Sequence, residues 1–353
     1  MARRPTIKDI ARQAGVSESA VSFALNNRPG VSQDTRARIR RVAEELGWQP
    51  NSAARALSGE QSGAVGLVLA RPAHTLGVES FFLQLVSGIQ EVLAAGRIAL
   101  LFQVVEDLDA ECAVYRRWWA ERRVDGVVVV DPRSDDPRPA LLEQLALPAV
   151  TVGETGPVAP AFPDSGAPTA LSAVRADDAG AMAEVLDHLY GLGHRRIAHV
   201  AGLPGLAHTE RRIASLRAEA HRLGLDPGQV RSVTTDYSDA EGAEATRRIL
   251  AEPEPPTAIV YDNDVMAVAG VAVASELGIP VPDGLSVVAW DDSALCRVTR
   301  PRLTALVRDT AGFGRLAAEE LLALLAGGAP RSRESERPRL EPRESTAPPP
   351  AAY

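Results

Sequence analysis

Only two cysteines, Cys112 and Cys296, occur in 353 residues. That is too few for a disulfide framework or a thiolate zinc cluster, and it agrees with a reducing compartment. No apolar run approaches the roughly 20 residues a membrane-spanning helix needs, so no membrane partner is expected. The N-terminal stretch MARRPTIKDIARQAG has no apolar core of a secretory signal, so the chain is expected in the cytosol, in a cytoplasmic role. Phosphate-binding loop, nucleophile elbow and HExxH are all missing, which leaves enzyme chemistry without a carrier; no catalytic residue and no cofactor is expected. His194 and His199 have no acid or cysteine at ligand spacing, so no metal is expected there; the neighbouring Arg195 and Arg196 favour a surface turn. The C-terminal region lacks a leucine heptad, so nothing there would build a tetramer.

With 45% hydrophobic and 24% charged residues the chain is globular and long enough for two or three domains. Its net charge of -8 is unevenly spread. Residues 1–58 carry ten Lys and Arg against five acids, a net of +5, which leaves -13 for the rest. A small basic head on a larger acidic body is expected where one domain meets phosphates and the other does not.

The head divides into short helical segments. Thr6 precedes IKDIARQA, with Asp9 three residues on, close to a capping box, and Ile7, Ile10, Ala11 and Ala14 fall on one face. After Gly15, Ser17 can cap a second helix in which Ala20, Val21, Ala24 and Leu25 point inward and Glu18, Ser19, Ser22 and Phe23 point out. A third helix runs from Ser32 to about Leu46, with Ile39, Val42, Ala43 and Leu46 as its buried stripe. Two short helices around a tight turn form the helix-turn-helix layout, in which the second helix enters the major groove. Next, Pro50 and Asn51 can start a small-sided helix, NSAARALS, whose Leu57 suits either a partner helix or a wedge in a minor groove.

The runs TIKDIARQAGVS, NNRPGVS and GWQPNSAARALSG resemble the head of the lactose/galactose repressor family of bacterial transcription regulators, without a break from about Thr6 to Gly63. The resemblance implies a DNA-binding set of Thr6, Ser17, Glu18, Ser19, Ser22, Phe23 and Asn26, with Ala54, Arg55 and Leu57 on a hinge helix. Leu57 would be the wedge at the operator's centre. Family heads commonly carry a hydrogen-bonding or basic residue where this chain has Phe23.

From Ala64 the pattern alternates between apolar runs of strand length (AVGLVLAR, IALLFQVV, DGVVVVD, PAVTVGE) and helical stretches, as in a parallel sheet covered by helices. A Pro-, Ala- and Gly-rich loop at 155–169 interrupts it. The alternation restarts with ALSAVR, RIAHVAGL, VRSVTTD, TAIVYDN and SVVAWDD, with helices near 178–191, 208–223, 239–251 and 265–277. Trp118 and Trp119 on one helix are expected to split between core and subunit interface.

Two doubly wound lobes imply a cleft at the carboxyl ends of their strands. Asn263, Asp264, Asp291, Asp292 and Tyr237 follow strands of the second lobe, and Arg212 lies in a helix; the first lobe offers Arg71, Phe81 and Phe82. Aromatics, arginine and polar groups together suit a small polar ring. GLGHRRIAHVAG, TAIVYDND and PDGLSVVAWDD also resemble the family's effector domain, which shares its fold with periplasmic sugar-binding proteins. That resemblance implies effector contacts at Arg212, Tyr237, Asn263 and Asp291, with Arg71 nearby and stacking at Phe81 and Phe82. The structural alternatives are that Asn263 and Asp291 cap turns, that Arg212 pairs with Glu210, and that Phe81 or Phe82 belongs to the core.

The expected fold is a small all-α head plus hinge helix on an α/β two-lobed body like the periplasmic binding proteins. The expected divisions are 1–49 for the head, 50–62 for the hinge and linker, 63–172 with 308–326 for the first lobe, 173–307 for the second, and 327–353 for a Pro-rich tail, either disordered or, as the resemblance implies, with a last short strand in RLEPREST. The expected function is that of a sugar-responsive, homodimeric repressor of a carbohydrate-utilisation operon, with a palindromic double-stranded operator as its other partner. A solute-binding transport protein and a purine- or nucleoside-responsive repressor are the alternatives.

Overall fold

The computed structural model describes residues 5–48, 61–71, 80–154 and 171–350. The chain divides into two compact units, residues 1–62 and 63–353. The expected hinge residues Ala54, Arg55 and Leu57 lie outside the described residues.

In the first unit, α1 (Ile7–Ala14) starts where Asp9 reaches back to the Thr6 N–H at 2.9 Å, and ends at Gly15, whose φ of 65° is the left-handed conformation that glycine adopts without strain. Ser17 caps α2 (Glu18–Leu25) by accepting from the Ala20 N–H at 3.2 Å. Ser32 does the same for α3 (Gln33–Glu45). The inward residues form one cluster centred on Ile10, Val21, Ala24 and Ile39, all fully buried. Arg36 is held within the fold: its guanidinium donates to the carbonyls of Ala24 and Arg28 at 3.0 and 2.8 Å. The first satisfies a carbonyl that the end of α2 leaves open, and the second ties down the loop that follows. Arg40 donates to the Asn27 side chain at 2.6 Å.

The body contains two six-stranded sheets. The first uses β1 (Ala64–Ala70), β2 (Ala99–Val105), β3 (Gly126–Val129), β4 (Ala149–Val152), β5 (Ser172–Arg175) and β11 (Ser332–Glu334), in the order β11-β5-β4-β3-β1-β2. The second uses β6 (Ile197–Ala201), β7 (Val230–Thr234), β8 (Ala258–Tyr261), β9 (Ser286–Ala289), β10 (Thr304–Val307) and β12 (Arg339–Glu341), in the order β12-β10-β9-β8-β6-β7. All pairings are parallel except that of β10 with β12. Central strands such as β1 and β8 are buried on both faces, which is why they read as unbroken apolar runs.

Helices α4 (Ser80–Ala95), α5 (Leu108–Ala120) and α6 (Arg138–Gln144) belong to the first lobe, and α7 (Asp178–Leu192), α8 (Ala207–Arg222), α9 (Asp239–Leu250), α10 (Asp264–Glu276) and α11 (Ala294–Val298) to the second. The chain then returns: Phe313, Ala317, Ala318 and Leu321 of α12 (Thr310–Leu325) pack into the first lobe's core. In both sheets the winding direction reverses between neighbouring strands, β1 and β3 in one and β6 and β8 in the other. Such a switch leaves a crevice at the carboxyl ends of the strands.

Three findings differ from the sequence reading. The ALSAVR strand, assigned above to the second lobe, is β5 of the first sheet: Val150 pairs with Ser172, and Val174 is buried among first-lobe residues. The tail carries two strands rather than one, β11 on the first sheet and β12 on the second. Pro342 falls just after β12, an edge strand, where a missing N–H breaks no ladder bond. His194 and His199 are buried rather than on a surface turn, their rings held by Thr257 and the Ala347 carbonyl, and by Ser232 and Asp262. Trp118 is core and Trp119 is half exposed.

Candidate functional site

On the head, the exposed side of α2 presents Glu18, Ser19 and Phe23, with Ser22 half-buried beside them and Asn26 exposed at its end. Ser17 is committed to its cap, and the Thr6 hydroxyl to Asp9 at 2.6 Å. Phe23 remains 40% exposed, and its ring stands 3.4 Å from where a Cβ on Gly30 would lie, so the loop after α2 supports it from one side. The face thus offers a carboxylate, hydroxyls and one aromatic. Lys8 and Arg12 of α1 and Arg38 and Arg41 of α3 are exposed, although Arg12 also pairs with Asp9 at 2.8 Å.

In the body, the strand ends of the two lobes face one cavity of about 750 Å³, counted with its mouth. All seven residues expected from the sequence line it: Arg71, Phe81, Phe82, Arg212, Tyr237, Asn263 and Asp291.

Their partners are less predictable than their positions. Arg212 does not pair with Glu210, whose carboxylate is taken by the Ser134 hydroxyl. Its Nε lies 3.4 Å from Asp178 and one Nη 3.3 Å from Asp262, while the guanidinium covers the Trp290 ring at 4.2 Å. Burial opposes the charges of this pair, yet each raises or lowers the other in the stabilising direction. Arg212 is held above its ordinary pKa by Asp262 and Asp178, and Asp262 well below the carboxylate range by Arg212, His199 and the Gly202 N–H. The outcome is a fully charged, desolvated pair.

Asn263 caps α10, accepting from the Met266 N–H at 2.8 Å, and donates to the Tyr237 carbonyl at 3.0 Å. Tyr237 lies against the chain at Gly202, where a Cβ would fall 1.7 Å from the ring; only glycine admits it. Its hydroxyl meets His208 at 2.8 Å. Arg71 pairs with Asp131 at 2.6 Å and sits between the rings of Phe82 and Tyr237, at 5.0 and 4.9 Å. Phe82 is therefore buried with one face covered by Arg71. Phe81 is half-buried, with Arg308 over it at 4.6 Å.

Residues that the sequence reading passed over also line the cavity: Asp131, His208, Arg211, Asp262 and Arg308 among them. Three had a visible signal, because Asp131, Asp262 and Arg308 follow strands just as Arg71 does. His208 and Arg211 share a helix face with Arg212, at spacings of four and three and one residues, and nothing local marks that face as the one turned inward. Beyond the cavity the lobes join directly: the Ala207 N–H donates to the Pro132 carbonyl at 2.8 Å, and Arg133 bridges Leu206.

Burial, reinforced by Arg212, pushes the His208 imidazole down to about 3, and burial also lowers His188 and His194. In the unfolded chain these rings take up protons near pH 6.5, so below that pH the unfolded state binds more protons than the folded one. Stability is present above pH 6.5 and is lost as the pH falls, by up to about 1.4 kcal/mol per unit for His208. Between pH 7 and pH 5 the body's unfolding midpoint should drop, and His208→Gln should flatten that slope; an unchanged slope would show that His208 is not kept neutral.

Residues 6–51 match the family model described as "Bacterial regulatory proteins, lacI family", and residues 186–346 match a "Periplasmic binding protein-like domain". The chain is 31% identical over 290 residues to the HTH-type transcriptional regulator AglR of Rhizobium meliloti (strain 1021), covering 81% of this chain and 77% of that one. To the HTH-type transcriptional regulator CelR of Thermobifida fusca it is 29% identical over 335 residues, covering 92% and 93%. A solved transcriptional regulator CelR–cellobiose complex superposes with a TM-score of 0.72 at 27% identity, covering 97% of this chain and 100% of the other. With its helix-turn-helix head and two-lobed body, the chain belongs to the lacI family of bacterial regulatory proteins and is a DNA-binding transcriptional regulator.

Proposed function

We propose that the chain is a cytoplasmic, homodimeric repressor without enzymatic activity, which reads a palindromic operator through α2 and binds a sugar between its lobes. The observation that carries the effector reading is the convergence of Arg71, Phe81, Arg212, Tyr237 and Asp291 on one cavity at the strand ends. The solved relative is a complex with cellobiose, which supports a saccharide as the ligand. For the head, the carrying observation is that the exposed side of α2 bears Glu18, Ser19 and Phe23 while exposed basic residues stand on α1 and α3. Phosphate contacts would then position the head, and α2 would face the base edges. Two heads on two half-sites supply the contacts that one short helix lacks.

Glu18 can accept from a cytosine amino group, and it repels phosphate where that partner is missing. Glu18→Gln should therefore raise binding to unrelated DNA and relax one operator position, by about 1–3 kcal/mol of lost discrimination. Selection from a randomised duplex pool at fixed salt measures both. An unchanged selected sequence would reduce Glu18 to a solvated acid at a helix start. Retention of DNA by the full chain should also weaken steeply with salt.

A further inference from the structure

Phe23 has no place in the head's core. The cluster built on Ile10, Val21, Ala24 and Ile39 does not include it, and the ring stays 40% exposed on the side of α2 that also carries Glu18, Ser19 and Ser22. Ser19 lies one turn before it and Asn26 almost one turn after, both exposed, so an apolar ring stands among polar neighbours. The ring is nevertheless held in place. A Cβ at Gly30 would fall 3.4 Å from its Cδ2, and the Phe23 carbonyl accepts from the Arg28 N–H at 2.9 Å and from Nη1 of Arg36 at 3.4 Å. Arg36 is fixed in turn by the Ala24 and Arg28 carbonyls. An exposed ring on so firmly tied a backbone loses little freedom when a partner covers it.

We infer that Phe23 reads the C5-methyl group of one pyrimidine in each half-site, thymine in unmodified DNA and 5-methylcytosine in methylated DNA. This rests on the reading of α2 as the helix that faces the base edges, and it names what one position of that helix recognises. The phenyl ring carries no hydrogen-bond donor or acceptor, so it cannot match the polar pattern of a base pair. In an intact duplex the base faces are stacked and closed to it. The apolar group that base edges do present in the major groove is the thymine methyl, against which a phenyl ring packs. Cytosine methylated at C5 carries the same group at the same ring position. A half-site with cytosine there is then weak until that base is methylated, which makes DNA binding by this chain sensitive to base modification.

The test uses the full-length chain. Its preferred duplex is selected from a randomised pool at fixed salt, in parallel with that of Phe23→Ala, and the position whose thymine preference disappears in the variant is the one Phe23 reads. Duplexes with thymine, uracil, cytosine or 5-methylcytosine at that position are then titrated by fluorescence anisotropy. Burying one methyl group corresponds to about a fourfold change in affinity. Thymine should therefore bind about fourfold tighter than uracil for each half-site, and 5-methylcytosine tighter than cytosine by the same factor. Both ratios should fall to about one in Phe23→Ala and persist in part in Phe23→Leu, which keeps an apolar side chain. The head of each variant should melt as before, since the ring lies outside the core cluster, and the comparison of thymine with uracil needs no variant at all. An unaltered selected sequence in Phe23→Ala, equal binding of thymine and uracil, 5-methylcytosine no tighter than cytosine, or ratios that survive in Phe23→Ala each overturn the inference. None of these touches the reading of α2, which Glu18→Gln tests separately. If no sequence is enriched, or if neither Phe23→Ala nor Glu18→Gln alters the enriched one, α2 does not face the base edges and the inference falls with that reading.

Discussion

Replacing Ile39 with alanine should unfold the head and abolish retention of operator DNA, while sugar binding by the body stays unchanged. Ile39 is fully buried against residues of α1 and α2, and the whole cluster comprises eight buried residues. Truncating a buried isoleucine to alanine costs about 2–5 kcal/mol. A unit of about 60 residues with one small core has little more stability than that to lose. The two units are separately compact, so the loss should remain local. Calorimetry of the full chain should show the head's transition gone and the body's intact; operator retention at the wild-type level would contradict this.

Arg212→Met should destabilise the body by about 3–5 kcal/mol, the usual cost of stranding a buried charge. Arg212 is 5% exposed and stands between Asp178 and Asp262, the latter almost wholly buried. Removing the cation leaves both carboxylates without their main partner. His199 and the Gly202 N–H still contact Asp262 at 2.9 Å each, which limits the loss. Adding Asp262→Asn to the first substitution should restore part of it, since the stranded charge goes too. Urea unfolding of the single and double variants measures this coupling. Additive losses would show that the two residues act independently.

Much of the fold was legible because it follows from periodicity. The helices expected near 178–191, 208–223, 239–251 and 265–277 stand at Asp178–Leu192, Ala207–Arg222, Asp239–Leu250 and Asp264–Glu276. Strand ends located most cavity residues for the same reason, since a parallel sheet aims its carboxyl ends at the crevice. Pairing was not legible. The four residues of β5 carry no mark of which sheet they join, and only the register against β4 decides it. Glu210 was the nearest acid to Arg212 in sequence, but residues two apart on a helix do not face each other, and the true partners come from 34 and 50 positions away. His194 and His199 looked like turn residues beside two arginines; hydrogen bonds from distant chain allow them to be buried.

The central claim is that one chain couples a saccharide cleft to DNA affinity. Its most direct test is the affinity of the full chain for its selected duplex, at one stated salt concentration, with and without the saturating saccharide found by thermal shift. The account predicts a change of roughly 5- to 150-fold, the usual range for coupled sites. Equal affinities with the cleft demonstrably filled would contradict it.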